Sequence, residues 1–234
     1  MAVNIDTVYQ KVLAIANKEQ RGYITPQEFN LFAEQAQLEI FEQYFYDLNQ
    51  LSRVHGKSEE YSDIVHNLNE KVALFESIAT ITSAPATPTV GTINVTNLYR
   101  LGTVIDADYR EVEEVQQNEL LYILQSPLAA PSLTRYIYVR TGELTIEMRP
   151  VVQAGTTGTY VRRPTKPSWG YVVVGHKALF DVTNPSTNNF DLHQSEENEL
   201  VYKILRLAGV SMKRPDIMGA GQGMDTMQVQ QEKQ

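Results

Sequence analysis

The segment TPQEFNLFAEQAQLEIFEQYFYDLNQLSR, from Thr25 to Arg53, decides the fold because it specifies one long helix. Its first four residues, TPQE, supply an N-cap hydroxyl, a proline at the first helical position and a carboxylate that can return to the capping residue. At 1.5 Å per residue such a helix is roughly 40 Å long. The apolar side chains that recur at helical spacing are Phe29, Phe32, Ala36, Ile40, Tyr44, Leu48 and Leu51. Phe41 and Phe45 widen this stripe, so we expect the helix to pack against more than one surface.

Shorter helical patterns flank the long helix on both sides. Ile5 to Lys18 carries apolar side chains on one stripe, and His55-Gly56 ends the long helix before a third helix that reaches Phe75. The short connection predicts that the third helix runs antiparallel to the second. We therefore predict an N-terminal antiparallel helical bundle, the helical body, over residues 1–82.

After about residue 80 the helical period gives way to short β-branched and aromatic runs separated by glycine and proline. Residues 83–92 contain Pro85, Pro88 and Gly91 and predict a boundary. Strands are predicted near 98–105, 109–115, 134–140, 143–149, 158–163 and 170–174, with a short helix at 118–125. Residues 83–190 are therefore predicted to form a mostly antiparallel β-rich domain.

One turn in this region predicts a register. Thr141-Gly142 separates two alternating runs, which predicts a hairpin with Val139 opposite Leu144 and Ile137 opposite Ile146.

The end of the chain predicts one more helix and then a loose segment. Ser195 followed by three acidic residues begins a helix that Gly209 ends, so 191–211 is predicted to be a C-terminal helix packing on the helical body. Met218, Met224 and Met227 lie among glycines, and 212–234 is predicted to be a flexible extension. The complete prediction is an α+β fold: a helical bundle around a long central helix, a β-domain, and a C-terminal helix with a flexible tail.

Composition and charge exclude several classes of function. The 234 residues carry 20 basic and 28 acidic side chains, a formal charge of -8, which argues against a sequence-independent grip on nucleic acid. The absence of cysteine excludes disulfides, thiolate metal sites and cysteine nucleophiles. No run approaches the roughly 18 consecutive apolar residues of a membrane span, and the first residues lack a signal-peptide pattern. We therefore expect no membrane partner.

A calcium loop is the sharpest motif match. Asn17 to Gly22 followed by Glu28 has the spacing of an EF-hand loop between two helices. However, Arg21 places a cation where an oxygen ligand belongs, and Pro26 lies inside the loop. We therefore favour a tight turn with a capping box and keep a calcium-binding module as an alternative.

Catalytic and metal sites are not predicted. The acidic cluster Asp106, Asp108, Glu111, Glu113 and Glu114 has the spacing of a solvated face, and the four histidines show no metal-ligand spacing. There is no nucleophile-elbow motif, and Trp169 is expected to be a packed aromatic at a strand start. The sequence therefore predicts no cofactor and no enzyme activity, and a cell-wall hydrolase stays an alternative.

Six segments carry a resemblance to a known family. They are IDTVYQKVL (5–13), QRGYITPQEFN (20–30), FEQYFYDLN (41–49), NLYRLG (97–102), YVRRP (160–164) and SEENELV (195–201). They resemble head-to-tail adaptor proteins, also called connector or ring proteins, of podovirus-like tailed bacteriophages, including marine and crAss-like phages.

This resemblance implies a virion protein of the neck region, assembled in the host bacterial cytoplasm. It implies a ring of about twelve copies between portal and tail. Its partners would be itself, the portal protein and further tail or ring proteins, and genomic DNA would pass through the channel without specific binding. Another tail or minor capsid component is the nearest alternative.

The expected interface residues come from the surplus apolar, basic and methionine-rich positions. They are Phe41, Phe45, Arg162, Arg163, Met218, Met224 and Met227.

Overall fold

A computed structural model describes residues 2–16, 24–53, 59–84, 87–211 and 215–232. The chain divides into two compact units: Met1–Leu74 together with Pro164–Gln234, and Phe75–Arg163. The first is mainly helical and the second is built on strands, so we call them the helical unit and the barrel unit.

The described residues contain six helices and nine strands. In chain order they are α1 (Ile5–Ala16), α2 (Pro26–Arg53), α3 (Glu59–Ala73), β1 (Glu76–Ala84), β2 (Thr87–Ile93), β3 (Leu98–Ile105), β4 (Glu111–Glu114), α4 (Gln117–Gln125), β5 (Ile137–Arg140), β6 (Thr145–Arg149), β7 (Thr157–Arg162), β8 (Tyr171–Val174), β9 (Lys177–Phe180), α5 (Glu197–Ser211) and α6 (Pro215–Glu232).

Helix α2 begins where its capping box predicts. Thr25 Oγ1 accepts the Glu28 backbone N–H at 3.3 Å, and Glu28 Oε2 accepts the Thr25 N–H at 3.0 Å. The backbone hydrogen bond from Thr25, followed by its side-chain hydrogen bond, lowers the pKa of Glu28 below its ordinary value. In the helical unit, α2 packs against α3 and α5, and α1 also packs against α5. Residues distant in sequence therefore bury the surplus apolar surface of α2.

An aromatic cluster anchors the β8–β9 hairpin in the helical unit. The ring of Trp169, which is buried, stacks on Tyr171 and Phe180 with centroids 5.8 and 5.7 Å apart, and it lies 4.2 Å from the ring of Tyr9. Its Nε1 donates to Asp6 Oδ1 at 2.9 Å. The prediction of a packed aromatic at a strand start is confirmed.

The barrel unit is a closed barrel with the strand order β1-β2-β6-β5-β4-β3-β7. All neighbouring pairs are antiparallel except β4 and β5, which are parallel. A parallel pair needs a crossover connection, and the segment containing α4 supplies it. Inward side chains fill the interior; among them are Ile81, Ile93, Val104, Val112, Ile146 and Met148.

The predicted fold is wrong in its architecture, although helices and strands do occur together. The β-part closes into a seven-stranded barrel with one parallel pair, which the predicted bundle followed by a mostly antiparallel β-domain did not include. Residues 83–92, predicted to be a boundary, contribute to β1 and β2, and the helical body continues in α5 and α6. The range 83–190 is divided, because β8 and β9 belong to the helical unit.

The predicted hairpin register is also wrong. Ile137 lies opposite Arg149 and Val139 opposite Glu147. The reason is a longer turn, in which the backbone N–H groups of Thr141 and Gly142 both donate to the carbonyl of Thr145.

The end of the chain differs from the predicted flexible extension, since residues 215–232 form α6. Helix α6 packs closely on α5 at two glycines, and ion pairs also join the two helices. A Cβ added at Gly221 would lie 2.9 Å from the Arg206 backbone N, and one at Gly209 would lie 2.6 Å from the Met218 N. The two helix backbones therefore touch at positions that have no hydrophobic signal.

Candidate functional site

The predicted interface residues of α2 lie mainly inside the chain. Phe41 is 1% exposed, and its ring contacts that of Phe45 edge-on at 5.0 Å. Phe45 is half-buried. Phe41 is therefore a core residue and offers no surface to a neighbouring subunit, which corrects its assignment to an interface.

Arg162 and Arg163 have different surroundings. The guanidinium of Arg162, half-buried, lies 5.7 Å from the centre of the Phe75 ring, and its backbone N–H donates to the Phe75 carbonyl at 2.8 Å. Arg163 is exposed, and its backbone N–H donates to the Asn97 carbonyl. Arg162 therefore has a structural role at the end of β7, and a role of Arg163 at an interface stays a prediction.

The three predicted methionines, Met218, Met224 and Met227, are exposed on α6. A cluster of charges holds α6 on α5. Lys203 Nζ lies 3.4 Å from Asp225 Oδ1 and 3.3 Å from Glu199 Oε1. Arg206 donates to Asp225 Oδ2 at 3.1 Å and to Glu39 Oε2 at 2.5 Å. Because Asp225 and Lys203 are buried, this ionic cluster fixes where α6 lies rather than acting at the surface.

A cavity of about 880 Å³ lies in the helical unit beside α2 and α3. Its described lining includes Leu51, Ile64 and Leu68 together with polar residues of both helices. Lys71 at its edge forms an ion pair with Glu196 at 2.6 Å. Burial alone would raise the pKa of Glu196, but the hydrogen bond and charge of Lys71, together with the side-chain interactions with Glu199 and Ser195, lower it below its ordinary value.

His193 and Ser195, also at this cavity, are capping residues. His193 Nδ1 accepts the Ser195 backbone N–H at 3.3 Å, and the Ser195 hydroxyl donates to Glu196 Oε1 at 3.1 Å. These contacts stabilise the 3₁₀ turn at Gln194–Glu196 that leads into α5. His193 is therefore a capping residue.

The acidic cluster of the barrel unit is held in structural contacts. Asp106 Oδ1 accepts the backbone N–H groups of Asp108 and Arg110 at 2.9 and 2.8 Å. Glu113 accepts two hydrogen bonds from the guanidinium of Arg135. Within the described ranges, no three histidine, aspartate or glutamate side chains form a group that could hold a metal ion.

The calcium-loop candidate and the other three histidines form no functional site among the described residues. Residues 17–23 of the calcium-loop candidate lie outside the described residues, and Glu28, its last position, is engaged in the capping box of α2. His55 is also outside the described residues, while His66 and His176 are exposed. None of the helices in the described part combines the length and apolar composition that a membrane crossing needs.

The barrel unit has an exposed apolar surface at α4. In this helix Leu120 is buried, whereas Leu121, Tyr122 and Leu124 are exposed, and Leu128 in the following turn is 97% exposed. We call Leu121, Tyr122, Leu124 and Leu128 the α4 patch. The run ELLYIL could have revealed it, because five consecutive apolar residues cannot all face one side of a helix.

The helical unit has a second exposed apolar surface, on the β8–β9 hairpin. Val172, Val173, Val174 and Leu179 are all about half exposed or more, with Val173 at 66%. Val172, Val174 and Leu179 lie on one face of the hairpin, and we call these three residues the hairpin patch. Three consecutive valines place apolar side chains on both faces of a strand, a signal that was visible in the sequence.

Comparison with known proteins gives no family assignment. Neither a protein-family model nor a curated protein sequence matches the chain.

Proposed function

We propose that this chain is a structural virion protein: a head-to-tail adaptor that forms a ring between the portal and the tail, around the DNA channel. The observation that carries the proposal is that each compact unit has its own exposed apolar surface, the α4 patch on one and the hairpin patch on the other. Soluble monomers rarely expose contiguous apolar patches without a binding role. Two separate surfaces support a subunit that contacts more than one neighbour.

The charge of the chain supports the same function. A protein that surrounds a DNA channel must let the duplex move, and clustered basic side chains would hold its phosphates. The formal charge of -8 favours a surface that repels DNA instead. The six segments that resemble phage adaptors add the position in the particle, between portal and tail.

The test is to locate this chain in an electron-microscopy map of the virus whose genome encodes it. We expect a ring of identical copies, about twelve, seated between portal and tail. Absence from the particle, or presence as an isolated single copy, would refute the proposal. Density elsewhere in the tail or capsid would reject the adaptor and support the alternative of another tail or minor capsid component.

A further inference from the structure

The strand register places the hairpin patch on one face of the sheet. Val172, Val174 and Leu179 share this face with Lys177, whereas Val173 and Ala178 lie on the other face. Val172 lies opposite Leu179, Val173 opposite Ala178, and Val174 opposite Lys177. The sheet of β8 and β9 has two strands, so each strand has an outer edge with backbone groups available for pairing. A two-stranded hairpin with apolar side chains on both faces is typical of an element that another surface covers.

The charges of the two patches have opposite signs. From Tyr171 to Phe180 the only Lys, Arg, Asp or Glu is Lys177, which is exposed. From Gln116 to Thr134 the only such residue is Glu119, which is also exposed. Each patch is thus an apolar surface with a single formal charge, and the charge on one attracts the charge on the other.

We propose that the hairpin patch of one subunit packs against the α4 patch of the next copy of this chain, with Lys177 facing Glu119. The two surfaces differ in structure and are complementary in charge, so the contact is heterologous, and a repeated heterologous contact builds a ring when the rotation between copies closes. This inference rests on the proposed ring assembly and names the two surfaces that build it.

Between two copies of this chain, the unlike patches suit each other better than like patches do. Two hairpin patches facing each other would bring two lysines together, and two α4 patches would bring two glutamates together. Pairing unlike patches avoids both repulsions and leaves neither apolar surface in solvent.

Disulfide trapping tests the contact, because the natural chain has no cysteine. We would prepare Val172→Cys and Leu121→Cys as separate full-length variants, each at an exposed position within its patch. After mild oxidation at high protein concentration, we expect the equal mixture to give at least fivefold more disulfide dimer than either variant alone. The matched control replaces Leu121→Cys with Leu31→Cys, an exposed leucine on α2. Dimer yields equal to that control would overturn the proposal and leave the hairpin to another protein.

Charge reversal tests the pairing within the same assay. Lys177→Glu or Glu119→Lys, placed in both cysteine variants, is expected to lower the trapped dimer severalfold, and the two reversals together are expected to restore it. Equal yields in all four backgrounds would refute the Lys177 and Glu119 contact.

The failure of this inference can be told from failure of the proposed function. A ring in the virus map without trapping would keep the adaptor and reject the contact. Specific trapping by a protein that is absent from the particle would keep the contact and reject the adaptor.

Discussion

Alanine substitutions at Gly221 and Gly223 should have different effects on α6, although the two glycines lie two residues apart in the same helix. A Cβ added at Gly223 meets nothing within 4 Å, whereas one at Gly221 lies 2.9 Å from the Arg206 N and 3.1 Å from the Tyr202 O. The Gly223→Ala change therefore tests helix propensity alone, and Gly221→Ala tests helix propensity together with the contact between α5 and α6.

The magnitudes follow from these contacts. Replacing glycine by alanine inside a helix adds about 1 kcal/mol of local stability. Gly223→Ala should therefore lower the equilibrium constant for local opening of α6 roughly fivefold. At Gly221 the neighbouring atoms belong to the backbone and cannot rotate away, so α6 must move outward, at a cost of about 1–3 kcal/mol. That movement would also lengthen the ion pairs of Asp225. The two variants should therefore differ by about 1–3 kcal/mol, or roughly 5- to 150-fold in the opening equilibrium.

Amide hydrogen exchange read by mass spectrometry measures this difference. In Gly223→Ala, peptides from 215–232 should exchange more slowly than the same peptides of the natural chain. In Gly221→Ala, these peptides should exchange faster than they do in Gly223→Ala. Peptides from β3 and β7 of the barrel unit serve as an internal reference and should not change. If both variants protect α6 equally, then α6 does not lie against α5 through Gly221, and the account of this contact is wrong.

Three further changes test the charged contacts by urea unfolding. Asp225→Asn removes the anion that faces two cations of α5 and should lower the free energy of unfolding by about 2 kcal/mol, whereas the exposed Asp63→Asn should leave it unchanged; equal effects would contradict the ionic cluster. Glu28→Gln should lower the free energy of unfolding by about 0.5–1 kcal/mol at neutral pH. Because the pKa of Glu28 is lowered in the folded chain, this stabilisation is present above the ordinary pKa of 4.5 and is lost as the pH falls through the folded pKa. The variant and the natural chain should therefore have the same stability in acid. Glu196→Gln leaves the ammonium of Lys71 without its anion and should cost about 3 kcal/mol at pH 7; since the pKa of Glu196 is also lowered, the difference should shrink in acid in the same way, and a difference independent of pH would refute the ion pair.

The helices could be predicted because their signals are local. The capping box fixes the start of α2, and α4 occupies Gln117–Gln125 where the sequence predicts 118–125. What α2 packs against could not be predicted in the same way. Phe41 appeared to be surplus surface for a neighbouring subunit, but α5, more than 150 residues later, packs on α2 within the same chain.

The barrel could not be predicted because its closing strands resemble a linker. Strand β1 carries apolar side chains on both faces, with Ile81 buried and Ile78 exposed, so it shows no clean alternation. Strand β2 contains Pro88 and Gly91, residues that usually mark a loop. Gly91 is required there because an added Cβ would lie 2.8 Å from the Cγ2 of Ile81. Without these two strands, β6 and β7 have no partners that close the sheet.

The exposed patches could be predicted in part from the sequence, whereas the position of α6 could not. The runs LLYIL and VVV have apolar residues on every side, which the sequence shows directly. Helix α6 buries Gly221 and Asp225, neither of which predicts burial, so composition alone suggested a flexible segment.

The energetics of the proposed contact favour a closed ring over an isolated dimer. Fully burying an apolar side chain is worth about 1.5–3 kcal/mol, so the partly exposed side chains of the two patches give about 6–13 kcal/mol for one contact. Association itself costs about 4–15 kcal/mol, which leaves a single contact close to balance. The last subunit of a ring forms two contacts for one loss of translational freedom, and a closed ring leaves no hairpin patch or α4 patch in solvent. Since Trp169 already holds the base of the hairpin in place, the contact also loses little conformational entropy.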